Sequence, residues 1–153
     1  PGPQPYRCAD AVQFKPVSSV LEKRCGTIDC HGNLARPLKI YGKRGQQLFT
    51  LEEYVDNALA EKNDNVPGGR DTTEDEYAAN RRSVCGLEPE LSTQVVDGLA
   101  QPLDLLLLRK PLEIERHKGG QLFIRNDAAY NCITSWFSGS VTTSECELAA
   151  KEL

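Results

Sequence analysis

Val17, Val20 and Leu21 fall three and four residues apart, on one face of a helix that opens at Pro16 and runs to Arg24-Cys25. The same spacing recurs down the chain. Thr50-Leu-Glu-Glu53 has the form of a capping box, and Leu51, Val55, Ala58 and Leu59 give its helix a buried face through about Ala60. Thr73-Glu-Asp-Glu76 is a second capping box. Tyr77, Asn80 and Val84 mark its helix to about Cys85, where Gly86 is expected to stop it. Glu88-Pro89 starts another, carrying Leu91, Val95, Val96 and Leu99 and broken around Gly98. Asn126 or Asp127 caps the most amphipathic element, with Ala129, Tyr130, Ile133, Trp136 and Phe137 on one face and Gly139 as its stop. Thr143-Ser-Glu-Cys-Glu147 opens a last short helix.

The connections are irregular. Residues 1 to 13, with three prolines and Cys8, read as an extended arm held by a disulfide, outside the core. Residues 33 to 49 alternate Leu38 and Ile40 between glycines, the pattern of a short irregular hairpin, and Asn63 to Arg70 is a surface loop. Leu103 to Leu108 reads equally as a helical turn or a strand, ended by Pro111. Residues 115 to 120 form a loop and Gln121 to Arg125 a short extended piece. Five or six short helices so connected imply an all-α fold, with the arm followed by a single domain over residues 14 to 153.

At 153 residues the chain fits one domain, and its longest apolar run, Leu105 to Leu108, is far below the roughly 20 residues a membrane-spanning helix needs. The net charge of -4, with basic residues scattered among acidic ones, gives no reason to expect a nucleic-acid surface. Six cysteines point to an oxidising compartment. The start at Pro1 and the lack of methionine or an apolar leader lead us to expect an exported mature form, extracellular or periplasmic.

The composition gives most meaning to Cys25-Gly-Thr-Ile-Asp-Cys30-His31-Gly32. Two nearby thiols followed by an imidazole is the arrangement that holds a covalent c-type haem, each thiol adding to a vinyl group and the histidine reaching the iron. Four residues separate the cysteines here instead of two. With no methionine in the chain, the opposite face of the iron has His117 as its leading candidate, the only other histidine. Zinc is a rival for the same residues, but it would need a fourth ligand from His117 or from a cysteine whose spacing does not suggest one. A disulfide between Cys25 and Cys30 beside a surface histidine is the plainer alternative. For His117 it is an exposed loop residue between Arg116 and Lys118. The other four cysteines allow three pairings. We favour Cys132 with Cys146, clamping a helical hairpin, and Cys8 with Cys85, tying down the arm.

These residues resemble a family. Val17, Val20, Leu21, Cys25, Asp29-Cys30-His31-Gly32, Arg36-Pro37-Leu38 and Ile40-Tyr41-Gly42 look like the opening of cytochrome c-like domains on exported proteins of myxobacteria and planctomycetes. Leu105 to Leu108, Arg109-Lys110-Pro111, His117-x-Gly119-Gly120, Phe123, Tyr130 and Trp136 resemble their second half, so the likeness spans residues 14 to 139. It implies thioethers at Cys25 and Cys30, His31 as proximal ligand and His117 as distal. The chain departs from the family pattern in its longer spacer, its lack of methionine and an inserted loop near residues 62 to 71.

The expectation is an electron carrier with one covalent haem c ligated by His31 and His117, at a comparatively low potential. Tyr41, Phe49, Phe123 and Trp136 are candidates to line its pocket, and Arg36, Lys39 and Arg109 to neutralise its propionates; core packing and solvated charge are the ordinary alternatives. A redox protein is the implied partner, or further copies of the chain as an oligomer or polymer. No catalytic constellation stands out. The rival functions are a haem-free, disulfide-stapled extracellular module and a peroxidase with an open haem site.

Overall fold

The computed structural model describes residues 5–48 and 70–151. Among them run six α-helices: α1 (Phe14–Arg24), α2 (Glu74–Leu87), α3 (Pro89–Val96), α4 (Leu106–Arg109), α5 (Ala128–Phe137) and α6 (Thr143–Lys151). A 3-10 turn at Pro102–Asp104 precedes α4, and the described residues contain no strand. The helix expected over 50–60 and the loop expected over 63–69 lie outside them.

α1 begins at Phe14, two residues before the expected Pro16. Proline still sits in the first turn, where no intrahelical N–H is lost. The extension follows from tertiary packing: the Phe14 ring is buried and lies 4.9 Å from the Trp136 ring of α5, centroid to centroid. Val17, Val20 and Leu21 complete the buried stripe, and Lys23 and Arg24 at the last turn suit the helix dipole. Asp127 caps α5, accepting from the Tyr130 N–H at 2.8 Å, and Gly139 follows the helix at φ +98°. α5 and α6 form a hairpin bonded through Cys132–Cys146, against which α1 packs.

α2 continues through Gly86, the expected stop, to Leu87. A glycine inside a helix costs about 1 kcal/mol, and the packing of Leu87 against the core offsets it. α3 ends at Val96, so Leu99, expected on its apolar face, lies beyond the helix and is exposed. The ambiguous run 103–108 becomes the 3-10 turn plus the single turn of α4, whose first N–H, from Leu106, donates to Glu88 at 2.6 Å.

The buried face of α2 is polar at two of its three positions, Glu76, Asn80 and Val84. It takes the place a neighbouring strand would occupy beside the irregular stretch 38–48. The Lys39 N–H donates to Ser83 Oγ at 2.8 Å, Asn80 bonds both backbone groups of Tyr41, and Glu76 accepts from the Leu48 N–H at 2.7 Å. The strands of the expected hairpin are absent from this stretch, because α2 side chains and the carbonyls of Gly32, His31 and Gln46 between them take up its backbone groups. Gln121 to Arg125 likewise forms no strand.

Both favoured disulfides form, Cys8–Cys85 and Cys132–Cys146. The N-terminal arm is held by more than its cysteine. Ala9 is buried in the core, its carbonyl accepts from the Arg81 guanidinium, and the Asp10 carbonyl accepts from the Trp136 indole at 2.7 Å.

Candidate cofactor site

After α1 the chain winds into a close turn. The Thr27 carbonyl accepts from the N–H groups of Cys30 and Gly32, both at 2.9 Å, and the Cys25 carbonyl accepts from the His31 N–H at 2.9 Å. The four-residue spacer is taken up in this turn. The turn packs directly on the backbone of Gly45: a Cβ on Gly32 would overlap the Gly26 carbonyl and the Gly45 Cα, so neither Gly32 nor Gly45 tolerates a side chain. Cys25 and Cys30 are free thiols, so the disulfide alternative is not formed.

The turn presents His31 half-buried, its Nδ1–H donating to the Leu38 carbonyl at 2.8 Å. His117 is held in the same way by a local turn, its Nδ1–H donating to the Gly120 carbonyl at 2.9 Å. A ring nitrogen that donates to a carbonyl fixes the tautomer, leaving Nε2 with the lone pair available to a metal. The two rings stand 6.2 Å apart, centroid to centroid, with planes 5° from parallel. Two metal–imidazole bonds of about 2.0 Å plus the two ring radii also span roughly 6 Å, the centroid separation that two imidazoles sharing one metal ion would have. Gly119 packs beside His117: a Cβ there would come within 3.1 Å of the ring.

Both histidines line a cavity of about 530 Å³, together with Cys25 and Cys30. Its walls are apolar, from Pro37, Leu38, Leu87, Leu106, Leu107 and Leu122, among others, while Arg36, Lys110 and Lys118 bring positive charge to it and Asp29 the one carboxylate. Burial pushes the His31 imidazole below its ordinary pKa against the pull of the Leu38 carbonyl, and the nearby His117 and Arg36 lower it further. His31 is thus neutral at neutral pH, the form a metal takes. Burial pushes the Cys25 thiol up to about 12, helped by Cys30 and opposed by Arg24. It stays protonated, and a thiolate-bound metal there would first have to overcome that burial. Among the described residues no group of three or more His, Cys, Asp or Glu side chains is arranged to hold a metal ion.

A flat, largely apolar group with acidic edges, such as the haem expected from the sequence, is one that these residues could hold. Of the sequence candidates, the structure brings together Cys25, Cys30, His31, His117 and Arg36 on this cavity. Tyr41 does not line it. Alternation along the extended stretch turns Leu38 to the cavity and Lys39 and Tyr41 to a second, shallower depression. Arg109 is occupied by Glu115, 3.3 Å away. Phe123 and Trp136 belong to the core, and Phe49 lies outside the described residues. Sequence reasoning missed Lys110, Lys118, Leu87, Leu106 and Leu122. The clue available for the two lysines was their closeness in the chain to Pro111 and His117. No protein family, curated protein or solved structure that was compared matches this chain.

Proposed function

We propose that the chain is an exported, cytochrome c-like domain that carries one covalently attached haem and passes electrons to a partner protein. The observation that carries this reading is the pair of parallel imidazoles, 6.2 Å apart, in an apolar cavity walled by two free thiols. Cys25 and Cys30 would hold the haem through thioethers, and His31 and His117 would ligate its iron. When bound, the haem supplies reversible one-electron chemistry.

The chain's own residues supply the conditions for it. The leucines keep water away, the backbone carbonyls of Leu38 and Gly120 fix the two rings, and Arg36, Lys110 and Lys118 are placed to meet acidic groups at the edge of the ligand. Two anchored imidazole donors favour electron transfer over peroxide chemistry, which needs an open position. Two imidazoles favour the oxidised state more than an imidazole–thioether pair does, hence a low potential. Two disulfides accord with an oxidising compartment, and no helix among the described residues is long and apolar enough to cross a membrane.

The test is the absorption spectrum and mass of the chain made in a host that attaches haem c. A low-spin Soret spectrum and the mass of one haem retained after denaturation are expected. A colourless chain with four disulfide-bonded and two free cysteines would overturn the reading in favour of the haem-free module.

A further inference from the structure

Beside the cavity lies a second depression of about 400 Å³, lined by Pro37, Lys39, Tyr41, Arg82, Ser83 and Gly86, among others. Pro37 belongs to both, so the two form one continuous face. That face carries Arg36, Lys39, Arg82 and Lys118, all exposed, and among the described residues none of the four pairs with a carboxylate. The cations elsewhere include several that do: Arg7 with Asp97, Lys15 with Glu74, Lys43 with Asp71. The chain holds 22 acidic and 18 basic residues, so a face with this excess of unpaired positive charge runs against the balance of the whole. Among the described residues that line the two depressions, the one acid is Asp29 on the cavity.

We propose that this face docks an acidic protein surface, with carboxylates of the partner seated between Lys39 and Arg82. That the partner exchanges electrons rests on the haem reading, whereas the docking face rests on the charges alone. If Arg36 and Lys118 are taken up by acidic groups of a ligand in the cavity, Lys39 and Arg82 remain, since neither lines it. Like-signed charges around a cavity mouth steer an oppositely charged partner and orient its approach. The small residues Ala79 and Gly86 in the floor of the depression allow close contact.

The probe is a hexaglutamate peptide titrated into the isotope-labelled full chain and followed by amide NMR shifts at about 0.01 M salt, where the Debye length is about 30 Å. Shifts confined to residues 36–41 and 79–86 are expected. The double reversal K39E/R82E should weaken binding about tenfold or more, as removing paired charges at an interface does, and R125E, a cation on neither depression, should leave it within about twofold. Shifts scattered over the surface, or a K39E/R82E chain that binds as well as the original, would overturn the proposal. So would equal binding of a DNA duplex, which makes the face a general polyanion site. Dimers of the chain alone that dissolve on the same reversal would give the face to a second copy instead. A Soret band recorded on the same samples separates the two readings: a chain with the band that ignores the peptide loses only the docking face, and a chain without it that binds the peptide keeps the face but not the redox partner.

Discussion

Asn80 grips the backbone of Tyr41 on both sides, its Oδ1 accepting from the Tyr41 N–H at 2.6 Å and its Nδ2 donating to the Tyr41 carbonyl at 2.8 Å. The same amide nitrogen donates to Ser18 Oγ of α1 at 3.0 Å. One fully buried side chain thus joins α1, α2 and the stretch whose Leu38 carbonyl orients His31. Replacing it strands two backbone groups at about 1 to 3 kcal/mol each. Asn80→Ala is expected to lose roughly 2 to 4 kcal/mol in urea unfolding and, if the chain carries the proposed haem, to weaken its retention. A variant within about 0.5 kcal/mol of the original would show that the backbone finds other partners.

The sequence showed Asn80 only as a point in a helical period, and that limits what a pattern conveys. The capping box of α2, the Asp127 cap and the apolar stripes of α1 and α5 were legible because their causes are local: a side chain bonding the first turn, or a spacing of three and four. The disulfides were legible because helix placement left few sensible pairings. The backbone of residues 38–48 was not, since several of its bonds come from α2, well along the chain. The same holds for the site. Cys25, Cys30 and His31 are contiguous, and His117 stood out as the only other histidine, whereas the leucine walls come from the end of α2, from α4 and from the 122 region. Tyr41 was misplaced because alternation sends its side chain away from the one that Leu38 presents.

If His31 and His117 ligate one iron, their loss should have distinguishable effects. His117→Ala keeps the thioether turn intact and opens one side of the metal, so the low-spin spectrum should become high-spin, with added imidazole restoring it. His31 is built into that turn through its own N–H and carbonyl, the latter accepting from the Ile40 N–H at 2.7 Å. His31→Ala leaves these backbone bonds available but removes the anchored ring, and imidazole should rescue it less well. An unchanged low-spin spectrum in His117→Ala would remove His117 from the ligand set.

The two disulfides differ in the length of chain they close, 14 residues for Cys132–Cys146 and 77 for Cys8–Cys85. On the chain-entropy account the shorter loop contributes about 3 kcal/mol and the longer more than 4. Replacing each pair by alanine should therefore lower stability in that order, C8A/C85A more than C132A/C146A, read from urea midpoints with the slopes checked for change. The arm's other ties, Arg81 to Ala9 and Trp136 to Asp10, remain in the first variant, so a smaller loss there than in the second would mean that they restrain it without the covalent bond.

Glu22 sets the last prediction. Its carboxylate accepts from the Ser18 hydroxyl at 2.8 Å and the Thr72 hydroxyl at 2.6 Å, and it lies against Gly42, where a Cβ would reach within 2.6 Å of it. Burial raises its pKa above the ordinary 4.5, the two hydroxyls oppose the rise, and the nearby Glu76 adds to it. The folded chain therefore holds this proton more tightly than the unfolded chain does. Through the window between 4.5 and the higher folded value, the folded state binds more protons, so the stability contributed by the neutral acid falls as pH rises and is gone above that window. Glu22→Gln stays neutral throughout. Its amide can accept from one hydroxyl and donate to the other, so the local bonds survive. Melting temperatures measured from about pH 4 to pH 8 should coincide at the acid end and separate as pH rises, the variant becoming the more stable. Parallel curves would mean that Glu22 titrates alike in both states, with enough water or compensating charge in the fold to match the unfolded chain.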